Sequence, residues 1–141
     1  MLTRLLILAS VLCLASSQAS SGLPFTSIDR GAQSGIEEPK QVVVRTPAEW
    51  AALWKQHAPD RPRPSVDFTR TMVVGVFMGT RPTGGHAVAI TRIDREGADL
   101  VVAYRERRPA ASDIVTQVIT MPYDLVTLDR STARVRFVGA Q

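Results

Sequence analysis

The residues of this sequence that could do chemistry are few: His57, His86, the pair Ser112-Asp113, and a glycine-rich stretch at 79–87. A catalytic zinc ion takes about three protein ligands. Two histidines leave the third ligand to a carboxylate that no spacing marks. Ser112-Asp113 and His86 supply the residue types of a nucleophilic triad, which is defined by geometry and not by order. No Gly-x-Ser-x-Gly elbow accompanies them. Gly79-x-x-x-x-Gly84 matches the first part of a phosphate-binding loop. That motif continues Gly-Lys-Ser/Thr into a helix, because the lysine and the helix N-terminus hold the phosphates. Here Gly85-His86-Ala87 leads into a strand-like run instead. The expectation is therefore no cofactor, no metal and no catalytic residue. A hydrolase or metal enzyme using His57 or His86 remains an alternative.

What the 79–87 stretch offers instead is a shape. Arg81-Pro82-Thr83-Gly84 reads as a type I turn, with Pro setting φ at its second position. Gly85 adds a residue free to take φ > 0. The stretch leaves the most apolar run of the chain, 72–78, and precedes an alternating run, 86–90. It reads as a stiff loop off a central strand.

The surrounding elements can be read in order. Residues 25–32 carry a first strand and 41–45 a short β-branched one. Thr46-Pro47-Ala48-Glu49 is a capping box with Pro at the first helical position. The helix it starts, about 47–57, carries Trp50, Leu53, Trp54 and His57 on one stripe, which docks it on a sheet. Three prolines make 59–64 an extended connector. Phe68 anchors the return and Asp67 caps a turn. The run 72–78 is buried on both faces. Ile93 breaks the parity of Val88 and Ile90, so a bulge is expected nearby. Residues 94–97 form a turn, and 100–104 the second arm of a hairpin. Residues 116–121 and 124–129 are further extended runs around Pro122-Tyr123, and 134–138 is a half-exposed closing strand. One helix among closely spaced short strands predicts an α+β fold. Its sheet is mainly antiparallel or a partly closed barrel, with the helix packed on it.

The first nineteen residues stand apart. Arg4 gives a basic start, residues 5–14 are apolar, and Ser17-Gln18-Ala19 fits a small-x-small cleavage site. This is the pattern of a secretory signal peptide, too short to span a membrane. Leu12 stands before Cys13 where lipidation needs a small residue, so a periplasmic or secreted protein is expected rather than a lipoprotein. Cleavage after Ala19 leaves 122 residues with no cysteine and 16 basic against 13 acidic residues. An exported chain without disulfides rests on its core alone. Mixed-sign charge of this size is that of a soluble surface. No nucleic-acid partner and no membrane span are expected. The segment 20–40 leads, with its first strand, into a single domain over 41–141.

Four pieces in order resemble a known family. They are Glu49-Trp50-Ala51-Ala52-Leu53-Trp54, Val66-Asp67-Phe68, Arg81-Pro82-Thr83-Gly84-Gly85 and Met121-Pro122-Tyr123. Together they cover about residues 41–130, and the set is similar to the PrcB C-terminal domain family, named after an accessory subunit of a bacterial surface protease complex. The family carries an aromatic, usually Tyr, after the glycine pair, where this chain has His86. The resemblance implies an exported, non-enzymatic domain that stabilises or modulates a protein partner, with a protease as the implied class. Its contact residues are expected at Arg81, Pro82, Thr83, Gly84, Gly85, His86, Pro122 and Tyr123. More loosely, a glycine-flanked Pro-Thr loop resembles the one that chagasin-type cysteine-protease inhibitors insert into their targets. Direct inhibition through 81–86 is therefore a second alternative.

Overall fold

The computed structural model describes residues 22–141. The signal peptide expected at 1–19, its cleavage site and Cys13 lie outside the described residues. In order the chain forms β1 (Phe25–Gly31), β2 (Lys40–Val44), α1 (Pro47–His57), β3 (Thr71–Phe77), β4 (Ala87–Glu96), β5 (Asp99–Arg107), β6 (Tyr123–Asp129) and β7 (Arg134–Ala140). No helix among the described residues is long and apolar enough to cross a membrane.

Three layers result. A four-stranded sheet, β1-β6-β3-β2, is covered on one face by α1 and on the other by a three-stranded sheet, β4-β5-β7. The alternation of β3 explains the stacking. Val73 and Phe77 face the helix, while Met72, Val74, Val76 and Met78 face the second sheet. A strand with apolar residues at both parities needs a layer on each side. Gly75 lies where Leu125 and Val42 close over the backbone, leaving no room for a Cβ.

The helix forms as its sequence dictates. Thr46 Oγ1 accepts the Glu49 N–H at 3.2 Å and Pro47 opens the first turn. Trp50, Leu53, Trp54 and His57 are buried on one stripe. The two indole N–H groups need acceptors under that cover. Trp50 donates to the Pro64 carbonyl at 2.9 Å and Trp54 to the Arg61 carbonyl at 2.8 Å. The proline-rich connector 59–64 thus wraps the helix and offers carbonyls.

The α+β fold with mainly antiparallel sheets and one packed helix is as expected, with one parallel pair: β7 lies beside β5, Asp99 opposite Arg134 through Arg105 opposite Ala140. The gap 130–133 carries the chain from one sheet to the other instead of making a hairpin with β6. The barrel does not close, because the two sheets share no ladder. The run 116–121 is no strand; only isolated bridges form, Arg81 with Thr120 and Gln33 with Met121. The expected bulge is present, between Ile90 and Arg92 in β4.

A second bulge, between Ser27 and Asp29 in β1, was not legible in the sequence. It turns Asp29 to the helix face and Arg30 to the opposite face. There Arg30 meets Asp124, which is 0% exposed, at 3.1 Å. Asp124 also accepts the Ile90 backbone N–H at 2.8 Å and so ties β6 to β4 across the layers. Losing a buried acceptor strands its donors at a cost of about 1–3 kcal/mol. Asp124→Ala should therefore lower unfolding stability by about 2 kcal/mol. Arg30→Ala, whose side chain is half exposed, should cost less than about 1 kcal/mol in the same urea titration.

Candidate functional site

The expected contact residues separate into two places. Arg81, Pro82, Thr83, Gly84, Gly85 and His86 lie in the crossover from β3 to β4, and Pro122 and Tyr123 at the end of the return crossover from β5 to β6. The two crossovers run side by side. Arg81 and Thr120 exchange backbone bonds at 2.7 and 3.0 Å, the Gly84 N–H reaches the Thr116 carbonyl at 2.9 Å, and Thr120 Oγ1 donates to the Thr83 carbonyl at 2.8 Å. The turn expected at 81–84 is therefore not closed on itself, because its Gly84 donor is used on the neighbouring loop.

The glycines have local reasons. Gly85 has φ of +84°, and a Cβ there would stand 2.9 Å from Val115 and 3.0 Å from Pro109. A Cβ on Gly84 would strike Thr116. The Thr83–Gly85 segment is thus packed against 109–116 and is not a freely projecting tip. Pro82 is exposed, while Arg81, Thr83 and His86 are half-buried. Burial holds the His86 imidazole below its ordinary pKa, helped by the Arg81 and Arg108 charges and opposed by Glu106. His86 Nδ1 and Arg81 Nε are covered and have no protein hydrogen-bond partner.

Sequence reasoning missed the apolar side of this pair of loops. Ile114, Val118 and Ile119 are exposed, the last two at 52% and 61%. With Val138 they are the exposed large hydrophobics among the described residues. The signal was present as an aliphatic run in a loop, 114–119, which reads equally well as a short strand. The arginines of the β5 end, Arg105, Arg107 and Arg108, are exposed alongside.

Pro122 and Tyr123 do not join this surface. Pro122 is buried and its carbonyl accepts the Met78 N–H at 2.9 Å. Tyr123 is 4% exposed and packs between His57 and Phe77 under the helix. The contacts expected from these two side chains are corrected to core contacts, because β6 begins at Tyr123 with its ring on the helix face.

His57 stands in a constellation that resembles a triad by composition. Ser34 Oγ is 2.8 Å from Nδ1 and Asp29 Oδ2 is 2.8 Å from Nε2. Asp29 also accepts bonds from Arg61 and from the Tyr123 hydroxyl at 2.9 Å. The Ile36 N–H donates to Ser34 Oγ at 3.0 Å, so the hydroxyl proton is free to point at Nδ1. That assigns the Nε2–H tautomer, donating to Asp29. His57 is 1% exposed and Ser34 3%. A nucleophile needs access and a base on its oxygen that can pass the proton onward. Here Ser34 and His57 are covered beneath α1 while Asp29 is only partly so, and the cluster joins β1, the helix end and β6. Among the described residues no group of three or more His, Cys, Asp or Glu is arranged to hold a metal.

This cluster makes stability depend on pH. Burial pushes His57 below its ordinary pKa of 6.5, although Asp29 opposes the shift. Burial alone would raise Asp29, but bonds from Arg61, His57 and Tyr123 outweigh it and hold that carboxyl below 3.8. For both groups the folded state binds fewer protons than the unfolded one, so stability falls as protons are added. The unfolding midpoint should be flat from about pH 7 to about 9, decline below about 6.5, where unfolded His takes up its proton, and fall again below about 4. A midpoint unchanged between pH 7.5 and 5 would contradict the neutral His57. Gly85→Ala should cost about 1–3 kcal/mol in the same measurement, from the left-handed backbone and the Val115 contact together.

With the geometry described, the chain can be set beside known proteins. No curated protein and no solved structure matches it significantly. The family model described as PrcB C-terminal matches residues 72–129, from the central strand β3 to the end of β6, including both crossovers. Over that span the chain is similar to the PrcB C-terminal domain family.

Proposed function

We propose that this is an exported, non-enzymatic interaction domain that stabilises or modulates a protein partner in a protease complex. The contact surface runs over the paired crossovers, through Pro82, Arg81, Thr83 and His86 on one and Ile114, Val118 and Ile119 on the other. One observation carries the proposal: three large aliphatic side chains are exposed within six residues of a loop that backbone bonds fasten to its neighbour. Contiguous apolar exposure rimmed by polar groups marks interaction surfaces. A surface already held in place loses less entropy on binding. The family match spans both loops. The signal-like residues 1–19 support export. The burial of Ser34 and His57 supports a role without catalysis, because a substrate would have to reach both.

The exposed arginines beside the ridge suit a partner with an acidic rim around an apolar pocket. Co-purification from the native envelope under gentle crosslinking provides the test. Wild-type protein should recover one partner in fixed proportion, identifiable as a protease or its subunit. Ile114→Asp with Ile119→Asp should lower recovery at least 10-fold while leaving the unfolding midpoint unchanged, since both side chains face solvent. Recovery of the partner by the double variant at the wild-type level contradicts the proposed surface.

A further inference from the structure

Each sheet has two edges, and three of the four are guarded. β1 carries the bulge at Ser27/Asp29, and β4 carries the bulge at Ile90/Arg92. The β4 edge is also covered where the Leu23 N–H meets the Ile93 carbonyl at 2.6 Å. β2 is five residues long and opens on Lys40. Bulges, short length and lysine are the devices that keep strand edges from pairing with another chain.

β7 has none of them. It is a terminal strand of seven residues in unbroken register with β5, without proline, lysine or bulge. Its two cations are drawn back across the sheet: Arg136 is 2.6 Å from Glu96 of β4, and Arg134 is 3.8 Å from Asp99 of β5. Val138, on the same outward face, is 45% exposed. Val135 and Phe137 face the core between the sheets. The strand therefore presents a regular ladder edge with its charges neutralised from behind.

We propose that β7 is a self-association edge, at which two copies of this chain pair antiparallel about Phe137. Charge and the length of the paired ladder together decide the occupant and the register. Pairing centred on Phe137 sets Arg136 opposite Val138 and Arg134 opposite Ala140, so no like charges meet. It also keeps inward residues opposite inward ones, Val135 with Gly139. Shifting the centre to Val135 would set the two Arg134 residues opposite the two Arg136 residues, which is repulsive. The pairing joins the two three-stranded sheets into one of six strands. A seven-residue ladder is a small interface, below the roughly 1,200 Å² of a stable complex, so the dimer is weak and concentration-dependent. This inference is independent of the contact surface proposed above, because β7 lies outside both crossovers and outside the family match.

Sedimentation velocity of the mature protein over a concentration series tests it, with two substitutions at one exposed position. Val138→Arg places a cation opposite Arg136 of the second copy and should weaken the dimer at least 10-fold. Val138→Glu places an anion there and should hold the dimer at wild-type strength or tighten it. Amide exchange in β7 should slow with concentration in wild type and in Val138→Glu alone. A wild-type protein that is monomeric throughout overturns the proposal. So does a dimer that responds alike to both substitutions, since it would form through another face.

Discussion

Everything in this fold follows from one strand that has no polar face. β3 presents Val73 and Phe77 to one side and Met72, Val74, Val76 and Met78 to the other, and β6 beside it does nearly the same with Tyr123 and Leu125 against Val126 and Leu128. Neither side can be left to water. The helix stripe of Trp50, Leu53, Trp54 and His57 covers one face, and the β4-β5-β7 sheet covers the other. Because consecutive strands belong to different layers, the chain must cross between the sheets after β3 and return before β6. The two loops at the candidate contact surface are those crossings. Their position is a consequence of burial, and only their exposed side chains are free to serve recognition.

Polar groups inside such a stack need partners, and a single extra residue supplies them. The β1 bulge shifts the strand's alternation by one residue, so Asp29 meets His57, Arg61 and Tyr123 under the helix while Arg30 meets Asp124 between the sheets. A buried carboxylate without bonds would cost several kcal/mol. Asp124 is fully buried and Asp29 partly so, and each accepts bonds from at least two groups. Ser34, His57 and Asp29 satisfy one another in the same way, with Ser34 and His57 covered, and so hold three elements together.

How much of this the sequence shows depends on the range of the interaction. The helix Pro47–His57 was legible to its cap, because Thr46, Pro47 and Glu49 act within one turn. So was the β4 bulge, from the parity break at Ile93, and the two-faced burial of β3 from its unbroken apolar run. The parallel placement of β7 was not, since nothing in residues 130–133 says which sheet the chain enters next. Nor was the separation of Tyr123 from the 81–86 turn, which depends on which face β6 turns toward the helix. The glycine pair is legible as a place of positive φ and close fit, and in the structure Gly84 and Gly85 let the two crossovers approach. The aliphatic side chains that give the surface its character, Ile114, Val118 and Ile119, looked like strand residues because periodicity alone does not distinguish an exposed run from a buried one.

The paired crossovers, and not the outer face of the helix, are the surface proposed to meet a different protein. That proposal is tested most directly by placing a photo-crosslinking amino acid singly at position 119, on the ridge, and at position 56, on the solvent face of the helix. After irradiation in the native cell, the account predicts a discrete protein adduct from position 119 and none from position 56. An adduct from position 56 with none from position 119 would contradict it.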